Sequence, residues 1–358
     1  MPRTTTSSTS ARIRAAIAVW VVRASHARLK LGREVTTVLG MSETFNTGDP
    51  HTDFILRITH QIWEERQVEA IRDYYGKDVV VRSPSGATTG CESVVASTYA
   101  TLHEFPDRQL LGEDVIHCEG SNSEWLSSHR IFSTATHLGH GYFGEPSGCS
   151  LRYRVIADCA VRDGVIFDEW LVRDFGAIVR QMGGTPEATA RRIVATSGGS
   201  TIESDTAFRT VAPLYTHGGN GGMAGEQLVV AAKGILRGES DEVRGLFDRA
   251  AQFDLPGGLV VNGRDHGLAA LRDLFVAWTI EDISVEHVMS RSDALRGTRG
   301  AARVSFSANH TLSGQFGEPT NRKVESMTIW HAEFTGGKIQ RLFVLMDEVA
   351  LWRQILST

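Results

Sequence analysis

The chain has 358 residues, of which 41% are hydrophobic and 22% are charged, and its formal net charge at pH 7 is −5. This length and composition are ordinary for a globular protein of two domains, each able to bury its own core. The weak negative charge argues against nucleic acid as a partner. No apolar run in the sequence approaches the roughly 20 residues that span a membrane.

The first forty residues differ from the rest in composition. They hold seven Lys or Arg residues against the single acid Glu34, and they are rich in Ser and Thr. Such a composition is typical of a transit peptide. It is also typical of sequence that precedes the true start of a protein, here Met41, and we favour this second interpretation. We expect residues 1–50 to form a basic, disordered leader.

Helical periodicity comes first in each half of the remaining chain, and alternating strands follow. In the first half the pattern predicts helices over 53–76, 91–105 and 174–182, and strands from Asp78 and over 108–118, 124–138, 149–163 and 165–173. In the second half it predicts helices over 224–237, 264–278 and after Asp347, and strands over 251–255, 282–290, 299–312, 322–335 and 338–346. This order is typical of an α+β fold. Residues 185–222, rich in Gly, Ser and Thr, are predicted to be a linker with a short helix over 187–195.

One four-residue block occurs twice, as Phe-Gly-Glu-Pro at 143–146 and again at 316–319. The spacing of 173 residues holds without a gap, so that His137 aligns with His310 and Asp174 aligns with Asp347. A constant register over some 90 residues predicts a duplicated domain, because solenoid repeats have periods of roughly 20–50 residues. We expect the two copies to pack as an intramolecular pseudo-dimer or to form a homodimer.

The four cysteines all lie in the first copy, at Cys91, Cys118, Cys149 and Cys159. No two of them have the CxxC spacing, and the second copy has no cysteine at all. A disulfide framework or a zinc site is therefore not expected, and a reducing cytoplasm fits this pattern.

A set of short motifs in a fixed order resembles the SnoaL-like polyketide and ester cyclases, a family within the NTF2-like superfamily. The motifs are Pro84-x-Gly86, Gly90, Phe105-Pro106-Asp107, Thr136-His137-x-Gly139, Asp163-Gly164, Trp170, Asp174 and Gln181. The resemblance implies two tandem cone-shaped α+β barrels, with helices packed on a curved antiparallel sheet, over residues 51–184 and 223–358. The second copy lacks the Phe-Pro-Asp motif and has Phe343 in place of Trp170, so we expect the first copy to carry the working site.

Two aspartates are the first candidates for chemistry. Asp174 follows an apolar strand that carries Trp170, and desolvation there would raise the pKa of its carboxylate toward neutrality and make it a general base. The resemblance also implies an acid–base aspartate at this position, and Asp347 meets the same criterion. The alternative is that each aspartate only caps the helix that follows it.

Two histidines are the second candidates. His137 and His310 precede the glycine-rich loops, and either could hydrogen-bond a substrate carbonyl or simply bond the loop backbone. We expect the substrate-binding residues to include Trp170, Phe105, His129, Arg130 and Phe343. Arg130 and its counterpart Arg303 could instead pair with acids at an interface between the sheets.

Carboxylates and imidazoles in an apolar pocket make up the expected chemical repertoire. Nucleotide-binding glycine motifs, nucleophile elbows and HExxH sequences are absent from the sequence, so we expect neither a cofactor nor a metal. The first hypothesis is an enzyme, a cofactor-independent cyclase or isomerase that deprotonates carbon next to a carbonyl in a small apolar substrate. The alternatives are a hydrolase or dehydratase on the same scaffold, and a non-catalytic ligand-binding or interaction protein.

Overall fold

Two open six-stranded sheets carry the fold in the computed structural model, which describes residues 45–120, 123–199 and 201–357. The leader predicted from the sequence lies almost entirely outside the described residues. Residues 47–358 form one compact unit that contains both sheets. Within the described residues, no helix is both long enough and apolar enough to cross a membrane.

The first sheet and its helices follow the order predicted from the sequence. The helices are α1 (Pro50–Trp63), α2 (Ile71–Tyr74), α3 (Cys91–Glu104) and α4 (Phe175–Gln181). The strands are β1 (Tyr75–Ser83), β2 (Gly86–Thr89), β3 (Gln109–Glu119), β4 (Glu124–Thr136), β5 (Ser150–Arg162) and β6 (Val165–Arg173). Helix α1 begins at Pro50 because Pro suits the first helical position and the Asp49 side chain accepts a hydrogen bond from the His51 backbone N–H.

The predicted linker contains three helices, α5 (Pro186–Thr196), α6 (Ile202–Asp205) and α7 (Ala207–Thr210). Helix α5 packs against the C-terminal helix of the chain. Two aromatic side chains of this segment, Phe208 and Tyr215, are buried. The segment therefore contributes to the packed structure, which its Gly- and Ser-rich composition did not predict.

The second sheet and its helices complete the chain. The helices are α8 (Gly222–Leu236), α9 (Arg264–Phe275) and α10 (Glu348–Leu356). The strands are β7 (Phe247–Leu255), β8 (Leu259–Asn262), β9 (Trp278–Asp293), β10 (Gly297–His310), β11 (Lys323–Thr335) and β12 (Lys338–Leu345).

The strand orders of the two sheets are the same, β2-β1-β6-β5-β4-β3 in the first and β8-β7-β12-β11-β10-β9 in the second. Each sheet has one parallel pair, β1 with β6 and β7 with β12, and its other neighbours are antiparallel. The α+β class predicted from the sequence is confirmed. The described strands form two open sheets, each mainly antiparallel as expected, with one parallel pair that the sequence did not predict.

Residues 173 positions apart occupy the same place in strands β3 to β6 of the first sheet and β9 to β12 of the second, whereas the spacing is 172 for β1 and β7. Asp158 pairs with Trp170 across β5 and β6, and His331 pairs with Phe343 across β11 and β12. The two Phe-Gly-Glu-Pro blocks also lie in equivalent hairpins, each closed by a pair of glycines: Gly141 with Gly144, and Gly314 with Gly317. The second sheet thus repeats the topology and the register of the first, which supports the predicted duplication.

One face of each sheet packs against the other sheet. Apolar side chains from both sheets form a single buried cluster there, which includes Ile156, Trp170, Val172, Met327, Ile329 and Leu345. We call this region the inter-sheet interface. Because helices cover the opposite face of each sheet, both faces of the central strands are buried.

Candidate active site

A cavity of about 170 Å³ lies between the first sheet and helices α1 and α3. Its walls are mainly apolar, with Ile55, Ile58 and Ile62 from α1 facing Ile131 and Val155 of the sheet. A dry cavity of about 150 Å³ is large enough to hold benzene. This cavity therefore fits a compound with one small ring.

Polar side chains interrupt the apolar lining. Five of them carry a phenol, an imidazole, a carboxyl or a guanidinium group, namely Tyr75, Arg108, His129, Glu169 and Arg173. Six more carry hydroxyl groups, namely Thr59, Ser83, Thr88, Ser97, Thr98 and Thr101. Glu169 and Arg173 lie four residues apart on β6 and so share one face of the sheet. His129 reaches the same cavity from β4, which β5 separates from β6. Acid–base groups thus face a mostly apolar space from two separate strands.

Glu169 is an acid held in an environment that favours its neutral form. Its side chain is only 6% exposed, and burial raises its pKa above the ordinary value, although the Tyr75 hydroxyl and the Arg173 charge oppose this rise. One of its carboxyl oxygens, Oε2, has no hydrogen-bond partner among the described residues. A carboxylate with a raised pKa and a free oxygen can take up a proton from a bound compound.

Tyr75 and His129 are neutral in this environment. Burial raises the pKa of Tyr75 well above its usual range, so its hydroxyl remains a hydrogen-bond donor near Glu169. Burial lowers the pKa of His129 to about 3, with a further contribution from the charge of Arg130. The Nε2 atom of His129 has no hydrogen-bond partner in the described structure. An uncharged imidazole is thus available to bond a polar group in the cavity.

Apolar side chains fill the corresponding positions of the second sheet. Leu342 stands at the position of Glu169, Met346 at that of Arg173 and Ala302 at that of His129, each 173 residues later. Trp330 stands at the position of the cavity residue Ala157, and its side chain is fully buried. Glu169, Arg173 and His129 therefore have no chemical counterparts at these positions of the second sheet, so this combination of groups belongs to the first sheet.

The structure corrects our placement of the two candidate aspartates. Asp174 lies outside the residues that line the cavity, and its carboxylate accepts hydrogen bonds from the backbone N–H groups of Ala177, Gly257 and Gly258, each at 2.9 Å. Asp347 accepts from Val349 and Ala350 at the start of α10. Burial raises the pKa of Asp174 to about 6 and that of Asp347 to about 7. Both pKa values are raised as expected, but the geometry is that of helix caps.

The candidate histidines also lie outside the cavity lining. The ring Nδ1 of His137 is 3.1 Å from the Ser147 hydroxyl, and that of His310 is 3.1 Å from the Thr320 hydroxyl. Each ring thus holds the hairpin that contains Phe-Gly-Glu-Pro. Phe105, a predicted substrate-binding residue, packs beside His137 with its ring centroid 5.5 Å away. These contacts explain the recurrence of the motif as a structural feature of both halves.

Three further predicted substrate-binding residues lie at the inter-sheet interface. Trp170 and Phe343 point away from the cavity, and Arg130 lies over the ring of Phe343 at 3.6 Å from its centroid. Arg130 also forms an ion pair with Glu333 at 2.8 Å. Of the predicted site residues, the structure places only His129 in the cavity.

Tyr75, Arg108, Glu169 and Arg173 were missed by the sequence analysis. The alternation along residues 165–173 was correct, but the face with Trp170 was taken as the one lining the pocket. One signal was available in the sequence. Glu169 and Arg173 align with Leu342 and Met346, so a comparison of the two copies reveals two charged residues that only the first copy has.

A cluster of possible metal ligands lies elsewhere in the first half. Ligand atoms of Asp49, His51 and His117 lie within 4.8 Å of one another. The guanidinium of Arg291 contacts both His117 and Asp49, with a distance of 2.8 Å to the Asp49 carboxylate. The positive charge of the arginine is already paired with this carboxylate, so the arrangement does not favour a metal ion there.

Comparison with solved structures identifies similar chains from three species of Streptomyces. IdmH of Streptomyces antibioticus is 20% identical, the match covers 38% of this chain and 99% of IdmH, and the TM-score is 0.33. AclR of Streptomyces galilaeus is 20% identical over 36% of this chain and 92% of AclR, with a TM-score of 0.32. TsrD of Streptomyces laurentii is 18% identical over 38% of this chain and 97% of TsrD, with a TM-score of 0.33.

Comparison at the level of sequence gives one match. No curated protein matches the chain significantly. The family model described as SnoaL-like polyketide cyclase matches residues 54–182, a range that contains all six strands of the first sheet and every residue that lines the cavity. The resemblance noted from the motifs is confirmed for this range. Over residues 54–182 the chain is therefore similar to the SnoaL-like polyketide cyclases.

Proposed function

We propose that the first half of this chain is a cofactor-independent cyclase or isomerase in which Glu169 transfers a proton to and from a small carbonyl compound. The single observation that carries the proposal is a buried carboxyl group with a raised pKa and an unbonded oxygen in an apolar cavity. General bases work best when their pKa lies near the working pH. Abstraction of a proton from carbon requires a base and groups that stabilise the resulting negative charge, and side chains of the cavity can fill both roles.

The roles of the neighbouring side chains follow from their protonation states. Tyr75 retains its proton and can donate a hydrogen bond to a carbonyl or enolate oxygen. His129 is neutral at physiological pH and can bond a second polar group of the compound from the other side of the cavity. Arg108 and Arg173 add positive charge, which stabilises negative charge as it develops on the compound.

Solvent deuterium exchange tests this function without knowledge of the natural substrate. The protein is incubated in D₂O with a panel of small aryl ketones, beginning with acetophenone, and NMR measures the loss of protons next to the carbonyl. Glu169→Gln should slow the exchange by about 10²-fold or more, the range typical for loss of a general base. Asp174→Asn is the matched control, because this carboxylate lies outside the cavity, and it should exchange at the wild-type rate.

Two results would contradict the proposal. Exchange at the wild-type rate in Glu169→Gln would remove Glu169 as the base. Absence of exchange for every ketone that binds would favour the non-catalytic ligand-binding alternative. Hydrolysis or dehydration on this scaffold remains the second catalytic hypothesis, and product analysis by mass spectrometry distinguishes it from isomerisation.

A further inference from the structure

Two arginines in the cavity, the buried Arg108 and the partly buried Arg173, form no ion pair with any described residue. Arg108 is only 2% exposed, and its one side-chain hydrogen bond runs from Nε to the Ser133 hydroxyl at 3.2 Å. Its guanidinium otherwise lies against the rings of Trp63 and Tyr153. Arg173 forms neither an ion pair nor a side-chain hydrogen bond with any described residue. Both arginines line the same cavity.

Every other buried arginine of the described structure has a carboxylate partner. The ion pairs are Arg82 with Asp168, Arg130 with Glu333, Arg299 with Asp114, Arg303 with Glu286 and Arg353 with Asp205. Removing a charge from water is costly unless the charge is paired. Arg108 is thus the one buried arginine of the described core that lacks this compensation, and the partly buried Arg173 in the same cavity also has no ion pair.

The architecture of the sheet does not require the charge of Arg173. Met346 takes the place of Arg173 in the second sheet, which has the same strand order and register. An apolar residue at this position is therefore compatible with the fold. The fold does not need the charge of Arg173, and burying this charge costs free energy. We therefore expect a bound ligand to compensate it.

The balance of charge in the cavity indicates whether the ligand is an anion or a cation. Two guanidinium groups face one carboxyl group, that of Glu169. Burial and the neighbouring charge of Arg108 lower the pKa of Arg173 to about 10, which still leaves it charged at neutral pH. Even with Glu169 ionised, the cavity carries a net positive charge. A neutral ligand would leave this charge uncompensated.

We propose that the cavity binds a small cyclic compound that carries a carboxylate, which pairs with Arg108 and Arg173. This inference rests on the proposed function, because it concerns the same cavity, and it names the class of compound. The apolar wall formed by Ile55, Ile58 and Ile131 contacts the ring, and the planar guanidinium groups suit the two oxygens of a carboxylate.

Calorimetric titration with two matched probes tests the inference. Benzoate and benzamide have nearly the same shape, and only benzoate carries a charge at pH 7.5. The wild-type protein should bind benzoate at least about tenfold more tightly than benzamide, as expected for a charge-assisted pair. Arg173→Gln should abolish this preference without weakening the binding of benzamide. Arg173→Lys should keep part of the preference, and the exposed Arg191→Gln should keep all of it.

The outcomes separate this inference from the proposed function. If benzoate does not bind, or binds no more tightly than benzamide, the carboxylate proposal is wrong, even if ketones still exchange through Glu169. If the preference survives in Arg173→Gln, the pairing is likewise wrong. A preference for benzoate together with wild-type exchange in Glu169→Gln would uphold the ligand class and overturn the proton-transfer role. The comparison of probes on the wild-type protein needs no variant, so a variant that fails to fold does not affect it.

Discussion

The guanidinium carbon of Arg303 lies 3.7 Å from the ring centroid of Trp170, which joins the second sheet to the first. Its counterpart is Arg130, which lies 3.6 Å from the ring centroid of Phe343 and joins the first sheet to the second. The two contacts are related by the same 173-residue spacing and run in opposite directions between the sheets. The inter-sheet interface thus has the reciprocal pattern of a symmetric dimer within one chain.

Replacement of Trp170 by Ala should destabilise both sheets together. The side chain is 2% exposed and fills the centre of the inter-sheet interface, so its loss should cost about 3–5 kcal/mol of unfolding free energy. Urea unfolding followed by hydrogen exchange of strand amides in each sheet measures the effect. Tyr99→Ala, at a side chain that is 48% exposed, is the control. Separate unfolding of the first sheet, with unchanged protection in β10 and β11, would show that the sheets are independent.

The two aspartate caps should respond differently to replacement by Asn. Asp347 accepts both of its hydrogen bonds at one oxygen, Oδ1, so an Asn carbonyl can accept them both. Asp174 uses both oxygens, and the amide nitrogen of Asn would then face the N–H group of Gly258. Asp174→Asn should therefore lower the free energy of unfolding by about 1–3 kcal/mol at pH 5, where both wild-type carboxyls are largely protonated, and Asp347→Asn should change it little.

Urea unfolding of both variants at pH 5 checks this difference. Far-UV circular dichroism of the folded proteins provides the control for an unchanged fold. Equal stability of the two variants would mean that the contact between Asp174 and Gly258 contributes nothing.

The stability of the wild-type protein should depend on pH through Asp347. Burial raises the pKa of this carboxyl from 3.8 to about 7, so the folded state favours the protonated form. Its contribution to stability is fully present below pH about 4 and is lost as the pH rises through about 7. Asp347→Asn cannot ionise and should lack this dependence. Between pH 5 and 8, the variant should gain about 2 kcal/mol relative to the wild type.

Chemical unfolding at several pH values measures this difference directly. The charged and polar neighbours of Asp347 include Arg353, Asp205, Tyr142, Arg173 and the N–H groups of Val349 and Ala350, and all of them remain in the variant. The histidines whose pKa values burial lowers also titrate in both proteins, so their effects cancel in the comparison. A difference that stays constant over this pH range would show that the carboxyl of Asp347 has an ordinary pKa.

The sequence predicted the order of elements well, because helical and alternating periodicities were both clear. Strand β6 shows what periodicity alone cannot predict. Period-two alternation correctly separated Trp170 from Glu169, but it could not say which of the two faces a cavity. In an isolated sheet the more apolar face would pack against the helices. Here the second sheet covers the other face, so both faces are buried, and the face with Trp170 belongs to the inter-sheet interface.

The candidate site was predictable only in part because strand alternation does not extend beyond the ends of the strands. Regular alternation along the strand predicted over 124–138 puts His129 and His137 on the same face. The strand ends at Thr136, so His137 already belongs to the hairpin and the alternation no longer applies to it. Asp174 was misplaced in the same way, one residue after β6 ends at Arg173. Residues just beyond a strand take their direction from the turn that follows.

A bulky residue at Ala157 should close the cavity and abolish ligand binding. Ala157 lines the cavity, and Trp330 fills the corresponding position of the second sheet, which shows that this backbone accepts an aromatic side chain there. Ala157→Phe should therefore fold, with its stability unchanged or raised by added apolar burial. The reverse change, Trp330→Ala, should open a cavity in the second half and cost about 3–5 kcal/mol of unfolding free energy.

Calorimetric titration with benzoate, combined with urea unfolding, measures both effects of closing the cavity. Ala157→Ser is the control, because its small side chain leaves the cavity open, and it should bind benzoate as the wild type does. Ala157→Phe should show no benzoate binding while it unfolds in a single transition. If Ala157→Phe is folded and binds benzoate with wild-type affinity, the ligand occupies another part of the molecule, and the functional roles assigned to Glu169, Arg108 and Arg173 lose their basis.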